Sequence, residues 1–123
     1  MIAGNWKMNL TSKEGAELAA AIKNGLSADL KHEVLLAPSF TNLHAVRAAI
    51  AGSNVILSSQ DVCWEEKGAF TGAVSPAQIK DAGCTHAIIG HSERRKVFLE
   101  TDEVINRKMK TAIKNGITPV LCI

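Results

Sequence analysis

Ala87-Ile88-Ile89-Gly90-His91-Ser92-Glu93-Arg94-Arg95 passes from an apolar strand-like run, across a glycine hinge, into a polar helix start. A histidine therefore stands at a strand exit. Gly4-Asn5-Trp6-Lys7-Met8-Asn9 repeats the arrangement at the start of the chain, with an amide and an ammonium in place of the imidazole. The two stretches are far apart in sequence. They meet only if their strands lie side by side and point the same way, so the reading of these exits decides the fold.

The intervening sequence supplies that parallel arrangement. Ile2-Ala3 begins a short strand, and Thr11 opens a helix with Glu14 at capping-box spacing. Leu18, Ile22 and Leu26 follow at helical spacing as its apolar face. Val34-Leu35-Leu36-Ala37 reads as a strand buried on both faces and ended by Pro38. A helix with Leu43, Val46 and Ile50 on one side stops at Gly52. Val55-Ile56-Leu57 is a third strand. Ser75-Pro76-Ala77-Gln78 starts a short helix that ends at Gly83. After the Ala87–Ile89 strand, Thr101 caps a longer helix, with Asp102 and Glu103 at the positive end of its dipole. Ile105, Met109, Ala112 and Ile113 are its expected buried stripe, and Asn115-Gly116 closes it. Val120-Leu121-Cys122-Ile123 is a fifth strand, with Pro119 near its start. Strict alternation with short connections implies parallel strands and right-handed crossovers. One connection is long, from Gln60 to Val74, and carries Trp64 and Phe70. Long βα loops tend to be functional or interfacial.

Composition narrows the function classes. The 123 residues fit one domain, are 46% hydrophobic and 21% charged, and carry a net charge of +2. That charge is too small to argue for nucleic acid or an anionic membrane. There is no apolar run long enough to span a bilayer, and Met1-Ile2-Ala3-Gly4-Asn5 lacks a signal-peptide pattern. Cys63, Cys84 and Cys122 have no metal-ligand spacing and read as small thiols in a reducing cytoplasm.

In parallel α/β folds, sites gather at the carboxyl ends of strands. Here those ends carry Asn5 and Lys7, Ser39, Gln60, and His91 with Ser92. Lys7 offers a fixed charge for an anion such as a phosphoryl group, and Asn5 can hydrogen-bond an oxygen. A helix amino end disfavours the charged form of His91. A neutral imidazole donates to a carbonyl and passes a proton between oxygens, which suits enolisation. Each residue also has a plain reading: a solvated lysine, an asparagine that shapes a turn, a histidine that caps a helix. His32 and His44 read as surface residues, and Glu93-Arg94-Arg95 as a helix with exposed ion pairs. What favours the chemical reading is the convergence of polar groups on one face of one sheet.

Gly4-Asn5-Trp6-Lys7-Met8-Asn9, Gly68-Ala69-Phe70-Thr71-Gly72, Gly90-His91-Ser92-Glu93-Arg94-Arg95 and Pro119-Val120-Leu121-Cys122-Ile123 together resemble the triosephosphate isomerase family, in order and over the whole chain. The resemblance implies an α/β fold. It would be the parallel amino-terminal half of a (β/α)8 barrel, with about four βα units plus a fifth strand, as a single half-barrel domain over 1–123. It implies interconversion of dihydroxyacetone phosphate and glyceraldehyde 3-phosphate through an enediolate, a step of glycolysis and gluconeogenesis. His91 and Lys7 match the family's catalytic residues, Asn5 and Lys7 its substrate-binding pair, and Ser92 and Glu93 its supporting residues. Phe70 and Thr71 match a loop tip that enters a neighbouring subunit, and Met8 the position that receives it. Cys122 matches a thiol near the catalytic base. A neutral histidine is a property of this family, so the helix-end argument and the resemblance are not independent.

No metal or organic cofactor is implied. The expected partners are a triose phosphate and either further copies of the chain or a complementing carboxyl-terminal half, in the cytoplasm. Two departures stand out. Ala73 replaces the family's usual interface glutamate, and the family's catalytic glutamate has no counterpart by motif, Glu93 and Glu100 included. Full activity is therefore expected to need a complementing half. The alternative is a catalytically inactive, self-associating half-barrel scaffold.

Overall fold

A computed structural model describes residues 1–27 and 29–123 of the protein. Five strands run in parallel in the order β1 (Ile2–Asn5), β2 (Val34–Ala37), β3 (Ile56–Ser59), β4 (His86–Ile89), β5 (Thr118–Leu121). Each pairs with the next, from Ile2 opposite Val34 in β1–β2 to Ile89 opposite Leu121 in β4–β5. The sheet curls as a half-barrel. Among the described residues, helices fill the connections between strands: α1 (Ser12–Gly25), α2 (Leu43–Ala49) and α3 (Pro76–Asp81) singly, and α4 (Ser92–Val97) and α5 (Asp102–Lys114) both between β4 and β5. A single 3₁₀ turn over Phe40–Asn42 leads into α2.

The expected helix starts form as local chemistry dictates. Thr11 and Glu14 make a reciprocal capping box on α1, and Ser75 and Gln78 make another on α3 behind Pro76. Thr101 accepts from the Val104 N–H at the start of α5. The strands alternate faces with period two. Leu36, Leu57, Ala87 and Ile89 meet Ala19, Val46, Ile79, Ile105 and Ala112 from the helices in the main core. Leu35, Ala37 and Ile88 form a second cluster with Ile56, Val120 and Cys122 on the other face. Burying each large aliphatic side chain contributes about 1.5–3 kcal/mol.

Three expectations need correction. The buried stripe of α1 is set by Gly15 and Ala19, with Ile22 and Leu26 packed beside it, while Leu18 is exposed. Strand β3 extends through Ser58 and Ser59, both fully buried, because pairing with His86 and Ala87 continues past the apolar run. On α5 the fourth member of the stripe is Lys108, 2% exposed, whereas Ile113 is 61% exposed.

The long loop is not loose. The Cys63 N–H donates to the Val74 carbonyl at 2.8 Å and closes its base. Trp64 and Phe70 stack edge to face at 5.8 Å. One face of α5 grips it. Arg107 pairs with Glu65 and lies over the Trp64 ring, Thr111 donates to the Trp64 carbonyl, and Lys114 pairs with Glu66. Burial pushes the Cys84 thiol up to about 12, as a buried thiol requires.

Candidate active site

The turn after β1 is built to hold Lys7 in a fixed direction. Trp6 packs against the main core, and its backbone N–H donates to the Ala37 carbonyl. Asn5 Oδ1 accepts from the Lys7 N–H at 3.0 Å. Gln60 Nε2 donates to the carbonyls of both Lys7 and Ala37, at 2.8 and 2.9 Å, tying the exits of three neighbouring strands together. Buried Asn42 donates to the Leu10 carbonyl at 2.9 Å and anchors the far side of the turn. These bonds keep Lys7 at φ 56°. A non-glycine residue there carries about 1–3 kcal/mol of backbone strain.

The turn after β4 is equally determined. Gly90 has φ 75°, and a Cβ there would meet Arg95 Nη2 at 3.2 Å and the Cys122 carbonyl at 3.3 Å. His91 then caps α4, its Nδ1 accepting from the Glu93 N–H at 3.1 Å. In the neutral ring this leaves the proton on Nε2, the atom free to donate. Glu93 turns back across the gap between the strands, with Oε1 2.6 Å from Lys7 Nζ and Oε2 3.5 Å from His91 Nδ1.

Asn5, Lys7, Met8, His91 and Glu93 line one cleft of about 240 Å³ at the carboxyl edge of the sheet. The structure thus brings together groups 84 residues apart, Lys7 and His91, as the parallel reading requires. Ser92 lies in the first turn of α4 and is exposed. The plain readings of Asn5 and His91 are also true: one shapes a turn and the other caps a helix. Phe70 and Thr71 are exposed at the tip of the long loop, and Met8 is 95% exposed on the rim. Val97, Phe98 and Leu99 are exposed too, and Phe98 lines the cleft with Met8.

The cleft also contains residues whose role was not legible in sequence. Asp61 and Arg94 line it. Arg94 Nε donates to Glu100 Oε1 at 2.6 Å and makes an ion-pair contact with Asp61 Oδ2 at 3.0 Å. Behind them, buried Lys108 Nζ bonds both Asp61 oxygens at 2.7 and 2.8 Å, and Glu100 as well. Burial pushes the Asp61 carboxyl above its ordinary range, against the pull of Lys108. Burial would raise Glu100 too, but its hydrogen bonds from Lys108 and Arg94 hold it below. The only sequence signal for this cluster was that Asp61 and Glu100 flank the strand exit and the helix start.

A second cavity of about 210 Å³ lies at the opposite end, lined by Lys23, Leu26, Leu30, His32 and Asn54 among others. Lys23 there is spent on the Ala51 carbonyl at 2.6 Å. The carboxyl-edge cleft is the better candidate because it joins two strand exits, a strained lysine and an oriented imidazole.

The Lys7–Glu93 pair makes a testable statement about pH. The hydrogen bond from Lys7, partly offset by burial, lowers the Glu93 carboxyl below the ordinary glutamate value of 4.5. A lowered folded value means that the pair's contribution is present above the unfolded value. It is lost as pH falls through the folded one. Carboxyl NMR of Glu93 should show a midpoint below 4.5 that returns toward it in Lys7→Met. An unchanged midpoint in the variant would mean that the pair does not form in solution.

A curled sheet of parallel strands with its polar groups gathered at the carboxyl edge defines the β/α-barrel class of proteins. Within that class, the whole chain, residues 1–123, matches the triosephosphate isomerase family model, and the chain belongs to that family. It is 51% identical over 123 residues to the triosephosphate isomerase of Geobacter metallireducens, 49% to that of Pelobacter propionicus and 46% to that of a Roseiflexus species. In each case 100% of this chain is aligned, against 49%, 49% and 48% of the relative. The chain spans about half the length of the curated relatives it matches.

Proposed function

We propose that residues 1–123 form one half-barrel domain carrying the amino-terminal half of a triosephosphate isomerase site. Together with a complementing carboxyl-terminal half, it interconverts dihydroxyacetone phosphate and glyceraldehyde 3-phosphate. The observation that carries this reading is the placement of Asn5, Lys7 and His91 in one cleft, with Lys7 braced by Glu93. In this reading Lys7 and Asn5 bind the substrate. Lys7 also offsets negative charge that develops as the enediolate forms. His91 donates from Nε2 to the substrate's carbonyl oxygen and relays a proton between the neighbouring oxygens. Ser92 and Glu93 support that arrangement.

A base that removes the proton beside the carbonyl is still needed. The carboxylates lining the cleft among the described residues are Asp61 and Glu93, and both are held by cations. The base therefore comes from the complementing half. That half also covers the sheet edges, since β1 pairs with β2 only and β5 with β4 only, leaving Ile2 and Leu121 exposed. Met8, Phe70 and Thr71 form a contact with a second copy of the assembled barrel, which would remove an apolar rim from water. Glycolytic turnover in the cytoplasm is the corresponding cellular role. Among the described residues, no helix is long and apolar enough to cross a membrane.

An isomerase assay tests the reading. The chain alone should show at most a small residual rate. Addition of the carboxyl-terminal half of the Geobacter metallireducens enzyme should raise it by orders of magnitude. A folded complex of the two halves with no turnover would instead establish the inactive scaffold.

A further inference from the structure

Helix α4 carries His91 at its cap and Glu93 in its first turn, yet none of its residues from Ser92 to Val97 is buried. Apolar packing therefore does not fix its direction. Its side-chain anchors are two half-buried arginines. Arg95 Nε donates to the Gly90 carbonyl at 2.8 Å, and its Nη1 pairs with exposed Asp102 at 2.6 Å. Arg94 is held more firmly. Its Nε donates to Glu100 from the approach to α5 and lies in ion-pair contact, at 3.0 Å, with Asp61 from the loop after β3, and its guanidinium lies 4.7 Å from the Phe98 ring centroid. Both carboxylates are fixed in turn by the buried Lys108 ammonium.

Stability alone does not account for such a cluster. Well-packed apolar residues of similar volume commonly stabilise as well as, or better than, buried ion groups. The cluster supplies a direction that apolar contacts lack, because a planar guanidinium whose Nε–H is given to one immobilised carboxylate, with a second in ion-pair contact beside it, has little freedom.

We propose that Arg94 is a positioning residue. Clamped by Asp61 and Glu100 on Lys108, it sets the axis of α4, and so the direction of His91 Nε2 and the reach of Glu93 toward Lys7. The catalytic consequence rests on the isomerase reading above; the structural consequence does not. Misplacing a reacting group by about 1 Å can cost about 100-fold in rate, so the clamp should act on kcat and not on substrate affinity.

The test uses Arg94→Gln and Arg94→Lys in two measurements. The first is the ring nitrogen NMR of His91 in the labelled chain. The unsubstituted protein should show one tautomer, with the proton on Nε2, and both variants should show mixing as the cap to Glu93 loosens. The second is turnover in the completed barrel, where kcat should fall about 10- to 100-fold at little-changed KM. Lysine should not rescue it, because one ammonium on a flexible stem does not reproduce the oriented Nε–H of a planar guanidinium. Folded variants with an unaltered His91 tautomer, or with unaltered kcat, would overturn the proposal, as would full rescue by lysine. Should the Arg94 variants fail to fold, Asp61→Asn removes one carboxylate from the clamp at constant shape, and the same two readings decide. If the unsubstituted completed barrel is inactive, the isomerase reading fails, and the ring signals alone decide whether Arg94 positions His91.

Discussion

His91→Ala in the completed barrel should lower kcat by about 10²–10⁴-fold, the range that a positioned proton donor supplies. The expectation follows from geometry. Nδ1 is committed to the Glu93 N–H at 3.1 Å, so Nε2 is the ring's remaining donor toward the cleft. Alanine removes that donor and the helix cap together. His91→Asn separates the two, since asparagine can still cap α4. Its kcat should remain close to that of alanine, while thermal stability recovers. Lys7→Ala should act differently, raising KM as well as lowering kcat, because a cation that meets an anionic substrate contributes in the ground state too. Steady-state kinetics on these variants against the parent decide the matter. Near-parental kcat in His91→Ala would remove the imidazole from the chemistry.

Lys108→Met should destabilise the fold by about 3–5 kcal/mol, the cost of breaking a buried ion cluster by removing one partner. Methionine fills nearly the same volume, so little of the loss would be a cavity. What remains is Asp61 beside Glu100, whose side chain is 7% exposed and whose Oε2 already has no hydrogen-bond partner. Without Lys108 both carboxyls should titrate above their unfolded values. A raised folded value gives a penalty that is complete above it and disappears as pH falls to the unfolded value. Urea unfolding of parent and variant should therefore diverge at neutral pH and converge in mild acid. A constant difference across pH would show that Lys108 acts through packing alone.

The parts of this molecule legible in sequence are those written locally. Thr11 with Glu14 and Ser75 with Gln78 are short-range bonds, and both boxes form. Apolar runs bounded by Pro38, Gly83 or Gly90 mark strands, and short connections fix their parallel sense. That was enough to bring Lys7 and His91 to one edge. What sequence could not give depends on distant partners. Lys108 sits at a stripe position of α5 that a periodicity argument assigns to an apolar residue, and its partner Asp61 is 47 residues away. Ser58 and Ser59 look like the end of a strand, yet they are buried because neighbouring strands and helices cover them. Arg94 reads as one of a run of exposed charges until Asp61 and Glu100 are seen around it.

The strain at Lys7 was also invisible in sequence. Positive φ at a lysine has no sequence signature; here it results from Asn5, Gln60 and Trp6 acting together. The strain and the His91 cap are features of one arrangement: two strand exits braced so that an ammonium and an imidazole enter the same space.

We propose above that this space is half of a triose phosphate site. The most direct measurement is a crystal structure of the completed barrel with dihydroxyacetone phosphate bound. The ligand should lie in the carboxyl-edge cleft, with its carbonyl oxygen within hydrogen-bond reach of His91 Nε2 and Lys7 Nζ, and Asn5 beside it. A ligand seated instead at the opposite end of the sheet, among Lys23, His32 and Asn54, or bound in the cleft out of reach of both Lys7 and His91, would contradict it.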